Sequence, residues 1–563
     1  MANDADLLII GSGIYGIAAL RTYLSLHPTH KVVMLEADSC PGGVWSTKRV
    51  YDAFWTQSPL GIFEFSDEPL KDVQTKDTYY LYFQARHFTK YLDEYLESHV
   101  YAGKTLKVRI ELNSRVQKLW KETGEWHAQT TSNLYTAPKV IDASGQTSIP
   151  NTPNIPGADL FSGILIHHKD FGRTDISQKC RCCVVLGGGK SAADVAYGLA
   201  KAGLKVHWVI RKTGNGPAAF LPPESPISYY KNSNASFHTR FMSHLTASIY
   251  TPSTILTRLL HHTAIGRAIL HLFWSRLQKK LSAAANYDRE DGQANGFSNL
   301  RPDTKLFWQN DSSGINQRPD FFDTIAHKVQ VYRQDIVSIS THAIHFANGT
   351  SIETDSIVYA TGWSASTPYL SPESAYALGL STDLTAETPS QAQKWHILEK
   401  SADASILTQF PILARPPPAY KPEQEQSPFR LYKAMIPIYD HSIAFLGKMA
   451  MSNHTYNAEV QALFAVAVLD GNAQLPSEAE MEKEVALVRA WQRRRYPAKG
   501  EAGNWFYFDI VPYTDALLEQ LGLSSHRTTG VRDLLRPTEA RHLRGLLNEY
   551  ISKTSGAETN DTS

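Results

Sequence analysis

The sequence predicts an α/β fold made of two parallel strand and helix units, with a mostly helical insertion in the second. Three observations carry the prediction. Leu7-Leu8-Ile9-Ile10 runs into Gly11-Ser12-Gly13-Ile14-Tyr15-Gly16, followed after a helical span by Val32-Val33-Met34-Leu35-Glu36. Val184-Val185-Leu186 runs into Gly187-Gly188-Gly189-Lys190-Ser191-Ala192, followed by Val206-His207-Trp208-Val209-Ile210. Between that second unit and the strand signals near residue 330, residues 213–316 open with a loop rich in glycine and proline and contain an amphipathic, basic helix candidate.

A short, wholly apolar run bounded by glycine suits a parallel strand covered on both faces. In the first unit Gly11 permits the tight turn, Gly13 admits a pyrophosphate to the backbone, and Gly16 lets the helix pack on the strand. This Rossmann-like arrangement sets phosphates at a helix N-terminus. Glu36 closes the second strand, where a carboxylate accepts from ribose hydroxyls and repels a ribose phosphate, so the site suits FAD or NAD. Cys40-Pro41-Gly42-Gly43-Val44-Trp45-Ser46 follows; its paired glycines offer backbone donors beside the Trp45 ring, which makes Gly43, Val44 and Trp45 candidate cofactor contacts, and a purely structural turn explains the glycines equally well. Phe88, Tyr91, Leu92 and Tyr95 give residues 85–99 a core-facing helical stripe. Residues 108–130 alternate like a small antiparallel addition, 140–145 read as a buried strand ending in glycine, and the proline-rich run 150–157 marks a boundary.

In the second unit Ala192 replaces the third glycine, and Arg211-Lys212 stands where the first unit has an acid. A cationic pair at that edge suits a 2′-phosphate and therefore NADPH; the plain alternative is a pair of solvated loop charges. The insertion contains a basic, amphipathic helix around Ile265, Ile269, Leu272 and Leu277. Arg267, Arg276, Lys279 and Lys280 on it could face anionic lipid, but a lid helix packed over the body is the preferred reading. Residues 330–340 and 343–353 read as paired strands around Asn348-Gly349. Ile357 to Ala360 ends in Thr361-Gly362-Trp363, a third strand-to-glycine junction. Residues 415–428 read as irregular and exposed, 443–447 as a buried strand, and 457–469 as a helix whose start points at the first cofactor. Ser477 and Glu480 form a capping box for a helix carrying Met481, Val485 and Val488, with Arg493-Arg494-Arg495 as its solvated end. The last dozen residues read as frayed.

Composition narrows the function classes. The chain has 563 residues, 56 basic against 55 acidic, with 20% charged and 42% hydrophobic residues. That balance offers no bulk attraction for nucleic acid. A strand begins within the first ten residues, leaving no room for a signal peptide, and no apolar run reaches the roughly 18 residues of a spanning helix. A soluble, cytoplasmic protein without a metal site is expected, and membrane association is expected only through residues 241–281, if at all. Cys180, Cys182 and Cys183 are bunched, and Cys180/Cys183 make a C-x-x-C, but they lead into a strand where thiols behave as inert hydrophobes.

Two dinucleotide fingerprints of opposite ribose chemistry suggest a flavin reduced by NADPH. Phe161-x-Gly163-x-x-x-His167-x-x-x-Phe171, set between them, resembles the identifying motif of the flavin-containing monooxygenases, and Gly42 to Ser46 and Ala360 to Trp363 resemble further landmarks of that family. The related Baeyer-Villiger enzymes end the motif in Trp followed by Pro or Asp, where this chain has Phe171-Gly172. The resemblance is closest to the filamentous-fungal branch, with its natural-product tailoring enzymes. It implies FAD on Gly11, Gly13, Gly16, Glu36 and Trp45, and NADPH on Gly187, Gly189, Ser191 and Arg211. His167 is implied to shape the linker. Gln57 stands where family members often place an active-site asparagine. The implied organisation is a discontinuous FAD domain (1–172 and 362–550) with an NADPH domain (173–361) inserted, a lid at 213–316, and a flexible tail at 551–563. The implied reaction passes one oxygen atom of O2 through a C4a-(hydro)peroxyflavin to a small organic substrate, with amine or sulfide oxygenation favoured over the ketone outcome. A disulfide reductase, which needs a dithiol beside the flavin, and a non-oxygenating FAD/NADPH-binding reductase or sensor are the rivals.

Overall fold

A computed structural model describes residues 3–308, 315–420 and 425–558. The readings made for residues 309–314, 421–424 and 559–563 lie outside these.

The first glycine unit forms as its pattern requires. Leu7–Ile10 (β1) leads through the glycine turn into Ile14–Leu26 (α1) and Val32–Leu35 (β2). Both strands are buried on both faces, and they pair in parallel with Leu7 opposite Val32. Ala85–Ser98 (α2) buries Phe88, Tyr91, Leu92 and Tyr95, the stripe read from its periodicity. Ile110–Glu111 (β3) and Val140–Asp142 (β4) extend the sheet on opposite sides, and residues 443–445 pair with β4 to complete it. The antiparallel addition is therefore shifted relative to the alternation read over 108–130, its strands lying at 118–122, 125–129 and 134–137. It begins at Lys118, because β3 is drawn into the parallel sheet beside Met34 and Leu35.

A second five-stranded parallel sheet lies in the middle of the chain. Its strands are Ile164–His167 (β5), Cys182–Leu186 (β6) and Lys205–Ile210 (β7), with Lys190–Lys201 (α3) between the last two. Phe220–Leu221 (β8) opens the insertion, which carries Ile255–His262 (α4) and Ala264–Ala285 (α5) and returns at Ile315–Asn316 (β9), parallel to β8. Val329–Arg333 (β10) and Ser356–Tyr359 (β11) then complete the second sheet, in the order β5-β11-β6-β7-β10. The hairpin expected from residue 330 is accordingly divided. β10 pairs with β7, and only residues 336–339, 343–346 and 351–353 make the antiparallel ribbon around Asn348-Gly349.

Pro389–Gln409 (α6) is a helix that the apolar periodicity did not reveal, although Thr388 and Gln391 form a full capping box at its start. Ile443–Phe445 (β12) is the strand that closes the first sheet, and His454–Leu469 (α7) packs against α1, buried along its whole length. Glu478–Arg495 (α8) has the expected Ser477/Glu480 box, but its basic end is not solvated. Arg495 is fully buried and donates to the carbonyls of Thr246 and Phe307, while Arg493 pairs with Glu399 and Arg494 with Asp403. The reason is the insertion folding back over α8 and presenting carbonyl acceptors to a guanidinium with five donors. Leu546–Glu558 (α9) shows that helix, not a frayed tail, occupies the described residues after 550.

The insertion helix α5 also turns differently from the pattern read in its sequence. Gly266, Leu270, Trp274, Leu277, Leu281 and Ala285 face the core, whereas Ile265, Ile269 and Leu272 face outward. Both faces are apolar over the first turns, so periodicity alone could not choose between them. Trp274 decides: it packs edge-on to Phe307 and donates to the Leu245 carbonyl.

Candidate cofactor site

The carboxyl ends of β1, β4 and β12 converge on the first glycine turn. A Cβ on Gly16 would lie 2.0 Å from the Gly11 carbonyl oxygen, so the close packing of α1 on its strand excludes any side chain there. Gly13 caps α1 with extended backbone and brings its Cα face to Gly43, while the Gly42 amide donates to the Ser12 carbonyl at 2.9 Å. The two glycine-rich loops therefore form one backbone-lined wall. Gly43, Val44 and Trp45 make a single 3-10 turn, and the Trp45 ring is held among Phe54, Phe63 and Phe88. Glu36 is buried at the end of β2. One carboxylate oxygen accepts from the amide and hydroxyl of Ser12 at 2.8 and 2.6 Å, and the other from the Asp38 amide at 2.8 Å. A carboxylate offers about four acceptor directions, so capacity for a further donor remains.

α7 supplies the opposite side. Asn457 donates to the Tyr15 hydroxyl at 2.8 Å, fixing the first turn of α7 to the first glycine turn. Asn453, just before the helix, is buried in a left-handed conformation (φ +50°), and neither polar atom of its carboxamide has a partner among the described residues. The Ser46 hydroxyl and Asn457 Oδ1 are likewise buried and without a partner among the described residues. Buried polar atoms left unpaired cost free energy, so a cluster of them beside a backbone wall fits a polar ligand. This donor and acceptor set fits the phosphate, ribose and ring edge of a flavin dinucleotide.

The second glycine turn repeats the packing. A Cβ on Gly187 would lie 2.1 Å from the Ala360 carbonyl oxygen, Gly189 caps α3, and Ser191 sits in its first turn. Arg211 and Lys212 are exposed after β7, with the Arg211 guanidinium 5.3 Å from the Tyr420 ring centre. Asn215 holds Tyr420 there, donating to its carbonyl and accepting from its amide.

Between the two turns lies a seam that spacing did not reveal. Arg318 is buried, reaches Asp194 on α3 at 2.8 Å and donates to the Ala53 carbonyl, while Lys190 pairs with the same aspartate. Lys190 also stands over the Phe54 ring, so α3 and the loop after Trp45 share one charged cluster. Gln57 belongs to this seam. Its carboxamide donates to the Asn316 carbonyl at 3.0 Å and accepts from the Asn316 amide at 2.8 Å. His167, at the end of β5, is buried; Nε2 donates to the Gly362 carbonyl at 3.0 Å and Nδ1 accepts from the Lys169 amide at 3.2 Å. Burial lowers its pKa, and both ring nitrogens are occupied by backbone. The three clustered cysteines are free, and burial raises the Cys183 thiol to about 12, against a redox role for that pair.

A pyridine nucleotide-disulphide oxidoreductase profile matches residues 8–227, a span that holds both glycine turns. Along the whole chain, the FAD-dependent monooxygenase rstn6 of Aspergillus nomiae is 30% identical, over 97% of this chain and 98% of its own. The chain belongs to the FAD-dependent monooxygenase family. A second relative, an FAD-dependent monooxygenase of Pyrenophora dematioidea, is 31% identical over 93% of this monooxygenase and 98% of its own chain. The fold of the monooxygenase is that of cyclohexanone monooxygenase from Rhodococcus sp. Phi1, with a TM-score of 0.58, 15% identity and coverage of 93% and 98%. Among the described residues no helix is long and apolar enough to cross a membrane.

Proposed function

We propose that this monooxygenase uses NADPH to reduce its FAD and inserts one oxygen atom of O2 into an amine or sulfide of a small organic substrate, in natural-product tailoring. The observation that carries the reading is the pair of glycine turns with opposite ribose edges, Glu36 at the first and Arg211-Lys212 at the second. Bound FAD supplies the activation of oxygen; the chain's own residues bind, orient and exclude water. Gly11, Gly13 and Gly16 accept the pyrophosphate, Glu36 takes a ribose hydroxyl, and Gly43, Val44 and Trp45 border the ring system. Asn453 presents both a donor and an acceptor to the ring edge. On the other side Gly187, Gly189 and Ser191 take the NADPH pyrophosphate, and Arg211 with Lys212 the 2′-phosphate. His167 and the Arg318 cluster hold the two halves in register for hydride transfer. This assigns Gln57 and His167 to positioning rather than to contact with reacting atoms.

The test is oxygen consumption by the FAD-loaded protein with NADPH and with NADH, coupled to a product screen over amines, sulfides and ketones. A preference for NADPH and an N- or S-oxide product are expected. Lactone or ester products alone would replace the heteroatom reading with Baeyer-Villiger oxygenation, and absence of oxygen-dependent NADPH oxidation would leave a nucleotide-binding protein without oxygenase activity.

A further inference from the structure

The insertion presents an outward face that the fold does not use. α4 and α5 form a helical pair whose inner side packs on the body, while five large aliphatic side chains point away from it. Ile255 is 80% exposed and Ile265 73%, and Leu259, Ile269 and Leu272 are each about half exposed. On α5 the arrangement is a single stripe. At 100° per residue, Ile265, Ile269, Leu272, Arg276, Lys279 and Lys280 fall within an arc of about 100°, centred about 140° away from the buried one. Its first half is apolar and its second half cationic.

The charge of this segment is one-sided. From Ser225 to Tyr287 the chain contains seven Lys or Arg and five His and no Asp or Glu, in a protein that is elsewhere evenly balanced. Arg258, Arg276 and Lys279 pair with no acid among the described residues, and Lys280 donates only to the Pro226 carbonyl. Exposed aliphatic groups beside unpaired cations, on a helix whose other face is committed to a core, fit a helix lying in the plane of a membrane surface. Anionic headgroups complement the cations while the aliphatic groups enter the acyl boundary. A second copy of the chain fits poorly, because it would set the same cations against each other with no acid within 225–287 to pair them.

We propose that the outer face of α4 and α5 docks this enzyme on anionic lipid bilayers, with Ile255, Leu259, Ile265, Ile269 and Leu272 inserted and Arg258, Arg276, Lys279 and Lys280 at the headgroups. The docking is peripheral and reversible, since α5 keeps its inner face in the protein. It does not depend on which substrate or nicotinamide the enzyme uses.

The test is co-sedimentation of the full-length, FAD-loaded protein with phosphatidylcholine vesicles, with and without phosphatidylserine. Binding is expected only to the vesicles containing phosphatidylserine and is expected to fall with salt. Each basic residue near an anionic surface contributes about fivefold to partitioning, so Arg276→Glu with Lys279→Glu should lower it at least about tenfold. Ile265→Glu with Ile269→Glu should lower it comparably, while Val531→Glu, on an equally exposed position elsewhere, should change nothing. All three variants alter exposed positions, so NADPH oxidation without vesicles and the thermal midpoint should match the parent. Equal recovery with neutral and anionic vesicles, or no recovery with either, would overturn the proposal. So would a concentration-dependent dimer that Ile265→Glu with Ile269→Glu dissolves, which would assign the face to a second copy.

Discussion

Replacing Gln57 by Met removes two hydrogen bonds from a strand that has no other strand partner on that side among the described residues. In the β8–β9 pair, Ile315 and Gln317 donate to the carbonyls of Ala219 and Leu221, so the amide and carbonyl of the intervening Asn316 point away from the ladder. The Gln57 carboxamide meets both, acting as one residue of a third strand. Methionine keeps the length and apolar stem but leaves two backbone groups of a buried residue unpaired. Each costs about 1–3 kcal/mol, and because Gln57 is only half-buried water reaches part of the gap, which puts the total at about 2–4 kcal/mol. Local opening at 315–317 should therefore be favoured by roughly 30- to 1,000-fold. Hydrogen exchange resolved to peptides covering β9 reads this directly, with FAD content measured on the same samples. Unchanged exchange at β9 together with loss of flavin would refute the strut and return Gln57 to the cofactor.

Three other outcomes follow from the same geometry. Gly16→Ala forces a Cβ against the Gly11 carbonyl and should give a protein that purifies with little flavin, seen in the ratio of flavin to protein absorbance; full FAD occupancy would contradict the packing argument. Burial holds the imidazoles of His238 and His454 down to about 4, below the roughly 6.5 of an unfolded chain. The unfolded state then binds more protons between these values, so stability is complete above about pH 6.5 and is lost as pH falls toward 4, by up to about 3 kcal/mol per histidine. His238→Gln should flatten that fall in thermal midpoint, and an unchanged slope would remove His238 from the account. Arg211→Glu with Lys212→Glu should raise KM for NADPH by about tenfold or more while sparing NADH, since a carboxylate repels a 2′-phosphate but can accept from a ribose hydroxyl; parallel changes for both would place the pair outside the nucleotide site.

The parts of this fold that could be read in the chain are those whose cause is local. Gly11, Gly16 and Gly187 stand where backbone approaches backbone, and that need is written in the residue type itself. The stripe of α2 and the Ser477/Glu480 box are visible for the same reason. What stayed hidden depends on partners far along the chain. Arg318 meets Asp194 and Ala53, and Gln57 meets Asn316, with no spacing to announce either contact. Arg495 sits in a run of three arginines that looks like a solvated helix end until the Thr246 and Phe307 carbonyls reach it. α5 failed for another reason: two apolar faces give two equally good phases, and only a tertiary contact at Trp274 selects one.

The order of strands in the first sheet has a consequence for synthesis. β1, β2 and β4 leave the ribosome first, yet the edge of β4 stays open until β12 arrives, about 300 residues and about 15–60 s later at ordinary elongation rates. The second sheet needs nothing beyond Tyr359 and can close well before that. The half whose strands come earlier in the sequence is thus the half that finishes folding last. Its waiting edge, a short run of Val140, Ile141 and Asp142, is a place where a chaperone or a mispaired strand can intervene before the nascent enzyme is whole.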